Sequence, residues 1–152
     1  MPGSLKAQEG LDKMKYQRFS DALFLRIDPD EEICSQLICL AKQENIPLAE
    51  ISGLGAVKEL TIGVFDTVQK RYHSNHFSGV FEITSLTGTL TQKDGSPYLH
   101  LHMSVGDKDG HVYGGHLNQA VVSATAELVI RQIPGSVGRK MDEGIGLNLF
   151  HF

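Results

Sequence analysis

The sequence predicts an α+β domain, with a mostly antiparallel sheet of about seven strands and one main helix. Several segments alternate apolar and polar residues, which is typical of strands with one buried face. Only one segment, ending near Glu44, has apolar residues at helical spacing. Turn signals such as Asp94-Gly95 separate neighbouring strand segments, which favours hairpins and therefore antiparallel pairing.

Length and composition predict one globular domain. The chain has 152 residues, of which 41% are hydrophobic, and this is enough for a substantial core. Residues 1–15 are polar and lack apolar periodicity, so we expect a disordered leader or the remnant of a tag ahead of a single domain over residues 16–152. No apolar run is long enough to span a bilayer, and no signal-peptide hydrophobic region is present.

Charge and cysteine content indicate a protein of the reducing cytoplasm without a broad phosphate-binding surface. Eighteen acidic residues outnumber fourteen basic ones, giving a formal net charge of −4. Cys34 and Cys39 fall five residues apart on different faces of one predicted helix, so they cannot bridge each other. We interpret both as small core residues.

The predicted helix has a clear start and a clear end. Asp28 can cap it, Pro29 suits its first position, and Glu31 sits at the capping-box position. The helix then runs to about Glu44 and stops at Asn45. Its apolar stripe consists of Ile33, Leu37, Leu40 and Ala41.

Alternation and turn residues divide the rest of the chain into strands and loops. A bulge or kink is expected at Gly88. Three successive strands form a meander: the two strands joined by the Asp94-Gly95 turn and the strand that follows them. The predicted strands cover residues 16–27, 48–54, 58–65, 80–91, 98–104, 111–116, 120–130 and 145–152, while 66–78 and 133–144 are predicted as loops.

The segment 98–116, YLHLHMSVGDKDGHVYGGH, carries the residues that indicate chemistry. His100 and His102 share one face of a strand, because strand side chains switch faces at every residue. The glycine- and aspartate-rich stretch 106–110 predicts a turn. Residues 111–116 then return as the second strand of a hairpin.

Symmetric closure of this hairpin about Lys108 predicts a facial site of three histidines. His100 then lies opposite His116, and His102 lies opposite Gly114. Directly opposed residues have Cβ atoms roughly 4.5–5.5 Å apart, so three ring nitrogens can converge on one ion about 2.0–2.1 Å from each. Such a site leaves coordination positions open.

Two alternatives stay open at this point. A bulge at Gly110 would slide the pairing and turn His116 to the other face. Histidines on an exposed strand face also occur without any metal. His73, His76 and His111 are predicted to be solvated rather than ligands.

The phrases GVFEITSLTGTL, YLHLHMSVGDKDGHVYGGHL and TAELVI resemble the plant and prokaryote conserved (PPC) domain, a family associated with DNA binding. The resemblance runs from about Tyr16 to Phe150. It implies an α+β domain that assembles as a homotrimer. It also implies a divalent transition metal, commonly zinc, held by His100, His102 and His116.

The same resemblance supports DNA binding poorly. The family's DNA-binding label comes largely from plant members with a separate AT-hook, whose Arg-Gly-Arg-Pro core is missing from this sequence. Plant members also generally lack the histidines. The fold is similar to that of acetolactate decarboxylase, which holds a catalytic zinc through an HxH pair and a third histidine, an analogy of fold and site.

Two functions therefore remain after sequence analysis. One is a trimeric metal-binding module with a regulatory or DNA-associated role. The other is a zinc-dependent hydrolase or lyase acting on a small carbonyl or ester substrate. In the second, Glu82 is the first candidate for the acid/base, with Glu127 behind it, and Arg139 is a candidate for holding an anionic substrate. A surface position for Glu82 is the equally weighted alternative.

Overall fold

The computed structural model describes residues 14–152 of the chain. The predicted leader therefore lies outside the described residues, except for its last two. Lys15 already belongs to the first strand. The elements are β1 (Lys15–Arg18), β2 (Ala22–Ile27), α1 (Ile33–Gln43), β3 (Ala49–Asp66), β4 (Arg71–Lys93), β5 (Ser96–Gly106), β6 (Val112–Gln132), β7 (Gly138–Asp142) and β8 (Leu147–His151).

Four long strands pair in a closed ring. β3 pairs with β4, β4 with β5, β5 with β6, and β6 with β3, and every pairing is antiparallel. β2 pairs with β6, and β1 pairs with β2. β7 and β8 form a separate two-stranded sheet. The α+β prediction of a mostly antiparallel sheet with one main helix is confirmed, with eight strands in the described chain.

The core lies between the helix and the inward faces of the ring strands. The predicted stripe of α1 is buried throughout, and alternate residues of β2 to β6 complete one continuous cluster. His100 and His102 therefore point away from the core, because their strand neighbours point into it. The fully buried large side chains include Leu23, Ile27, Ile33, Leu40, Ile51, Leu60, Leu90, Leu101, Met103, Leu128 and Ile130.

The helix begins four residues later than Pro29, where its first turn was predicted. The capping-box hydrogen bond from the Asp28 N–H to Glu31 forms at 2.8 Å. The chain then runs beside β6, where the Asp30 N–H donates to the Val122 carbonyl and the Val122 N–H donates to the Glu31 carbonyl. Because this pairing needs a non-helical backbone, Glu32 becomes the cap, and its carboxylate accepts from the first free N–H groups.

Several predicted strand boundaries were wrong because long-range pairing extends the strands. The segment 16–27 forms two strands, since the Phe19 N–H donates to the Ala22 carbonyl and turns the chain. The segment 66–78 is mostly strand, because it pairs along β3 despite its polar composition. Part of the predicted loop 133–144 belongs to the β7–β8 hairpin.

Gly88 serves close packing rather than a bulge. It sits in regular pairing opposite Leu101, and the irregularity of β4 lies between Ile83 and Ser85. A Cβ atom at Gly88 would lie 2.0 Å from the His100 carbonyl oxygen. The predicted bulge at Gly88 was therefore wrong, and the glycine allows β4 and β5 to approach at the histidine strand.

The two cysteines are free thiols in different environments. Cys34 packs against the core, and burial raises the pKa of its thiol to about 12, with the carboxylate of Glu32 adding to the shift. Cys39 is exposed, so its prediction as a core residue was wrong. Within residues 14–152, no helix is both long enough and apolar enough to cross a membrane.

Candidate metal centre

The β5–β6 hairpin closes one residue later than predicted. Gly106 pairs with Val112, which centres the hairpin on Asp109. The Asp107 side chain causes this closure, because its Oδ1 accepts from the N–H groups of Asp109 and His111, each at 2.9 Å. The loop therefore needs all five residues 107–111.

The later closure moves the pairing by two residues and keeps the histidines on one face. His102, rather than His100, lies directly opposite His116, and Gly114 lies opposite Ser104. The predicted cross-strand partners were thus wrong. A shift of two residues preserves the side-chain face, since the strand period is two.

The three predicted ligands come together on the outer face of the ring. Ring centroids are 5.2 Å apart for His100 and His102, 5.3 Å for His100 and His116, and 5.8 Å for His102 and His116. One ring nitrogen from each lies within 4.8 Å of the other two. Nitrogens bound to one tetrahedral ion would stand about 3.4 Å apart, so small side-chain rotations bring the set onto an ion.

The pKa values of His100 and His116 lie below the ordinary histidine value, which favours the neutral form that metals require. Burial lowers the pKa of His100, and the neighbouring charges of His116, His102 and Arg139 lower it further. Burial also lowers the pKa of His116, with His102 as the second cause. Protons therefore compete less for these nitrogens at neutral pH.

The other histidines do not join this cluster. His73 and His76 are exposed on β4, where His76 Nδ1 lies 3.1 Å from the Thr61 hydroxyl. His111 sits at the hairpin turn with Asp107 and Asp109, all of which fasten that turn. The prediction that these three are solvated matches their exposure.

A cavity of about 800 Å³ opens in front of the three histidines. The β7–β8 hairpin forms one wall of it, and the Lys70 ammonium fastens the tip of that hairpin by donating to the carbonyls of Gly144 and Ile145. None of the side chains lining the cavity within the described chain is acidic. They belong to Val64, Phe65, Tyr72, Tyr98, His100, His102, His116, Asn118, Arg139, Leu147, Asn148, Leu149 and Phe150.

Arg139 lines the same cavity as the three histidines. Its guanidinium carbon is 5.0 Å from the ring centroid of Tyr98 and 4.4 Å from that of Phe150. Its Nε donates to the Thr91 hydroxyl at 2.9 Å, and Nη2 lies 3.4 Å from the Thr89 hydroxyl. Burial lowers the pKa of Arg139, yet a guanidinium remains charged at neutral pH.

The structure does not bring the candidate acid/base residues to this cavity. Glu82 is exposed and pairs with Gly106, four residues along β5 from His102. That separation corresponds to about 13 Å along the strand. Glu127 is also exposed, and it lies between Arg26 and Leu54 in the sheet.

Sequence reasoning missed the aromatic and amide residues of the site. Tyr98 shares its strand face with His100, so alternation could have identified it. Tyr72 stacks edge-on against His116 at 6.1 Å and donates to Asn118 Oδ1. No local signal identifies Asn148, because its place depends on how β8 folds over the sheet.

Residues 14–134 match the Plants and Prokaryotes Conserved (PCC) domain. The chain belongs to the PCC domain family. This is the family, also abbreviated PPC, that the motifs of the histidine hairpin predicted. The match covers every element from β1 to β6 and leaves β7 and β8 outside it.

Solved structures of PCC relatives share the whole fold. A proposed DNA-binding protein from Bacteroides thetaiotaomicron is 30% identical, with a TM-score of 0.89 over 91% of this chain and 97% of that one. A metal-containing protein from Archaeoglobus fulgidus is 33% identical, with a TM-score of 0.81 over 91% and 98%. A PPC protein from Pyrococcus horikoshii is 30% identical, with a TM-score of 0.80 over 91% and 94%.

Two further similarities are narrower. The bifunctional protein GlmU of Synechococcus sp. strain JA-2-3B'a(2-13) is 30% identical over 112 residues, which are 72% of this chain and 16% of GlmU. The chain thus spans about a sixth of the length of the curated relatives it matches. Acetolactate decarboxylase from Bacillus subtilis is 20% identical over 80% of this chain and 56% of that one, with a TM-score of 0.52, a similarity of fold alone.

Proposed function

We propose that this PCC-domain protein binds one divalent transition metal ion per chain, zinc by preference, through His100, His102 and His116. The convergence of three ring nitrogens within 4.8 Å of one another carries the proposal. Imidazole ligands favour zinc, nickel or iron over magnesium. A related protein described as metal-containing is 33% identical to this chain. The protein acts in the reducing cytoplasm, where the free thiols Cys34 and Cys39 persist.

The donor set indicates what the ion contributes. Three neutral imidazoles leave zinc its full charge of two, so the ion acts as a Lewis acid for an oxygen ligand in the cavity. The residues of this chain provide the rest of the site. His102 and His116 are fixed by cross-strand pairing, and aromatic side chains line the cavity beside them.

We further propose that the protein is a homotrimer. One helix covers only part of the sheet, so apolar surface is left on the outer face of β2 and β3. Phe24 and Leu54 remain 54% and 58% exposed there. Together with Val129 they line one surface hollow. Association with further copies of the chain would bury this surface.

Native mass spectrometry of protein incubated with zinc and then desalted tests both proposals in one measurement. We expect an assembly of about 50 kDa, three times the chain mass of 16.7 kDa, carrying three zinc ions. Magnesium in place of zinc should leave the assembly without metal. A trimer that holds no zinc would overturn the metal site, whereas a zinc-loaded 16.7 kDa species would overturn the trimer.

A zinc-dependent lyase or hydrolase acting on a small carbonyl or ester is the second candidate function. The cavity of about 800 Å³ in front of the histidines favours it, because a small substrate fits there beside the open metal positions. An acid/base role for Glu82 gains no support from the fold of one chain, since Glu82 lies outside the cavity lining.

Binding to DNA would distinguish a regulatory role from chemistry in the cavity. Relatives are described as proposed DNA-binding proteins, but a trimer of this chain carries a net charge of about −12, three times −4. Lys70 and Arg71 are adjacent in sequence, yet the Lys70 ammonium is occupied by the β7–β8 hairpin. We therefore expect no sequence-specific duplex binding by the chain alone at physiological salt.

A fluorescence-anisotropy titration of the zinc-loaded protein against AT-rich duplex measures this, at about 50 and about 200 mM salt. We expect no saturable binding in the submicromolar range. Submicromolar binding with a steep salt dependence, reduced by Arg71→Gln, would instead support the DNA-associated role.

A further inference from the structure

The cavity in front of the histidines has an excess of positive charge. Arg139 is charged and partly buried, and the described chain offers it no carboxylate partner within ion-pair distance. A divalent ion on the histidines would raise the charge facing the cavity to about three. Burying uncompensated charge is costly, so the cavity favours an anionic occupant.

The hydrogen bonds of Arg139 leave part of its guanidinium free. A guanidinium has five N–H groups. Three of them donate to the hydroxyls of Thr91 and Thr89 and to the Asn148 carbonyl. Each terminal nitrogen therefore keeps one N–H without a protein acceptor. Two such groups match the two oxygens of a carboxylate.

The pairing of β4 with β5 places this group beside the metal ligands. Thr89 lies directly opposite His100, and Thr91 lies opposite Tyr98. Since Arg139 donates to both threonines, its guanidinium lies over the part of the β4–β5 pair that carries His100. One small molecule can therefore contact both Arg139 and an ion held by the histidines.

We propose that the cavity binds a small organic carboxylate with an apolar body, and that Arg139 pairs with its carboxylate. This inference rests on the proposed metal site, because the ion held by the histidines would contact any further oxygen atoms of the ligand. We expect the ligand to have an apolar body because apolar side chains line the same cavity, namely those of Phe65, Leu147, Leu149 and Phe150. Inorganic phosphate would neutralise the positive charge but would not contact these apolar side chains.

A structural role for Arg139 is the competing explanation, because its contacts also fasten β7 to β4. The two explanations differ in their consequence for ligands. An anchor for the hairpin would not distinguish a carboxylate from a neutral molecule of the same shape. A recognition residue would do so through a charge-assisted hydrogen bond.

Isothermal titration calorimetry of the zinc-loaded protein with phenylacetate, phenylacetamide and inorganic phosphate tests the proposal. We expect phenylacetate to bind at least about tenfold more tightly than either of the others. Arg139→Gln should weaken phenylacetate binding roughly 10- to 100-fold and leave phenylacetamide unchanged. Lys140→Gln is the matched control, because this exposed neighbour does not line the cavity.

The comparison of phenylacetate with phenylacetamide on the metal-free protein decides the matter even if Arg139→Gln fails to fold, because a bound zinc ion would itself prefer the carboxylate. Equal binding of the two, or tighter binding of phosphate, would overturn the proposal. Zinc content is measured on the same samples, so a missing metal is recognised separately. Without zinc, Arg139 should still favour phenylacetate over phenylacetamide, though with weaker binding of both.

Discussion

Replacing His102 with alanine should weaken zinc binding by at least about 100-fold, since loss of a hydrogen-bond partner behind a metal ligand alone costs about 10- to 100-fold. His102 lies two residues from His100 on β5 and directly opposite His116 on β6. Its removal leaves two imidazoles, which cannot hold the ion against competing chelators. A competition titration against a chromogenic zinc chelator measures the change.

The same substitution should leave the metal-free protein folded. The His102 side chain lies on the outer face of β5, while the neighbouring Leu101 and Met103 are only 1% and 2% exposed and supply the packing of the strand. His76→Ala is the matched control, because it removes an exposed strand histidine outside the cluster. Zinc affinity equal to that of the unmodified protein would contradict the site, and an unfolded variant would show that the histidine face is structural.

Replacing Gly88 with alanine should destabilise the protein by about 3 kcal/mol or more, at the upper end of the cost of overpacking. The new Cβ atom would lie 2.0 Å from the His100 carbonyl oxygen and 2.8 Å from the Leu101 Cα. Both are backbone atoms, so no side-chain rotation can relieve the contact. β4 and β5 must separate inside a closed ring of strands, and the hydrogen bonds on either side weaken with them.

Thermal denaturation of the metal-free protein measures this effect, and a loss of about 3 kcal/mol corresponds to roughly 6–12 °C for a domain of this size. Gly106→Ala is the control on β5. Its added Cβ would meet only the Thr84 methyl, at 3.4 Å, so its melting temperature should change little. A melting temperature for Gly88→Ala equal to that of the control would show that β4 and β5 are not as close in solution. Zinc binding should also weaken in Gly88→Ala, because His100 moves with its carbonyl.

Local sequence patterns determined the parts of this protein that depend on nearest neighbours. Alternation alone placed His100 and His102 on one face, and the helical stripe from Ile33 to Ala41 identified the buried side of α1. The prediction that His116 shares the histidine face also held, although its partner was wrong. A shift of two residues in the pairing keeps each side chain on the same face of the strand. The prediction of which residues share a face was therefore less sensitive to error than the prediction of which residues pair.

Only the tertiary structure decided the register, the cavity and its charge. The hairpin register depends on hydrogen bonds that the Asp107 side chain accepts from the N–H groups of Asp109 and His111, which alternation does not encode. Arg139 reaches the site because it bonds to Thr91, 48 residues earlier in the chain. Glu82, on a strand that also borders the histidines, lies too far along it to join them. These placements depend on contacts between distant segments, whose free energy is available only once the ring of strands has closed.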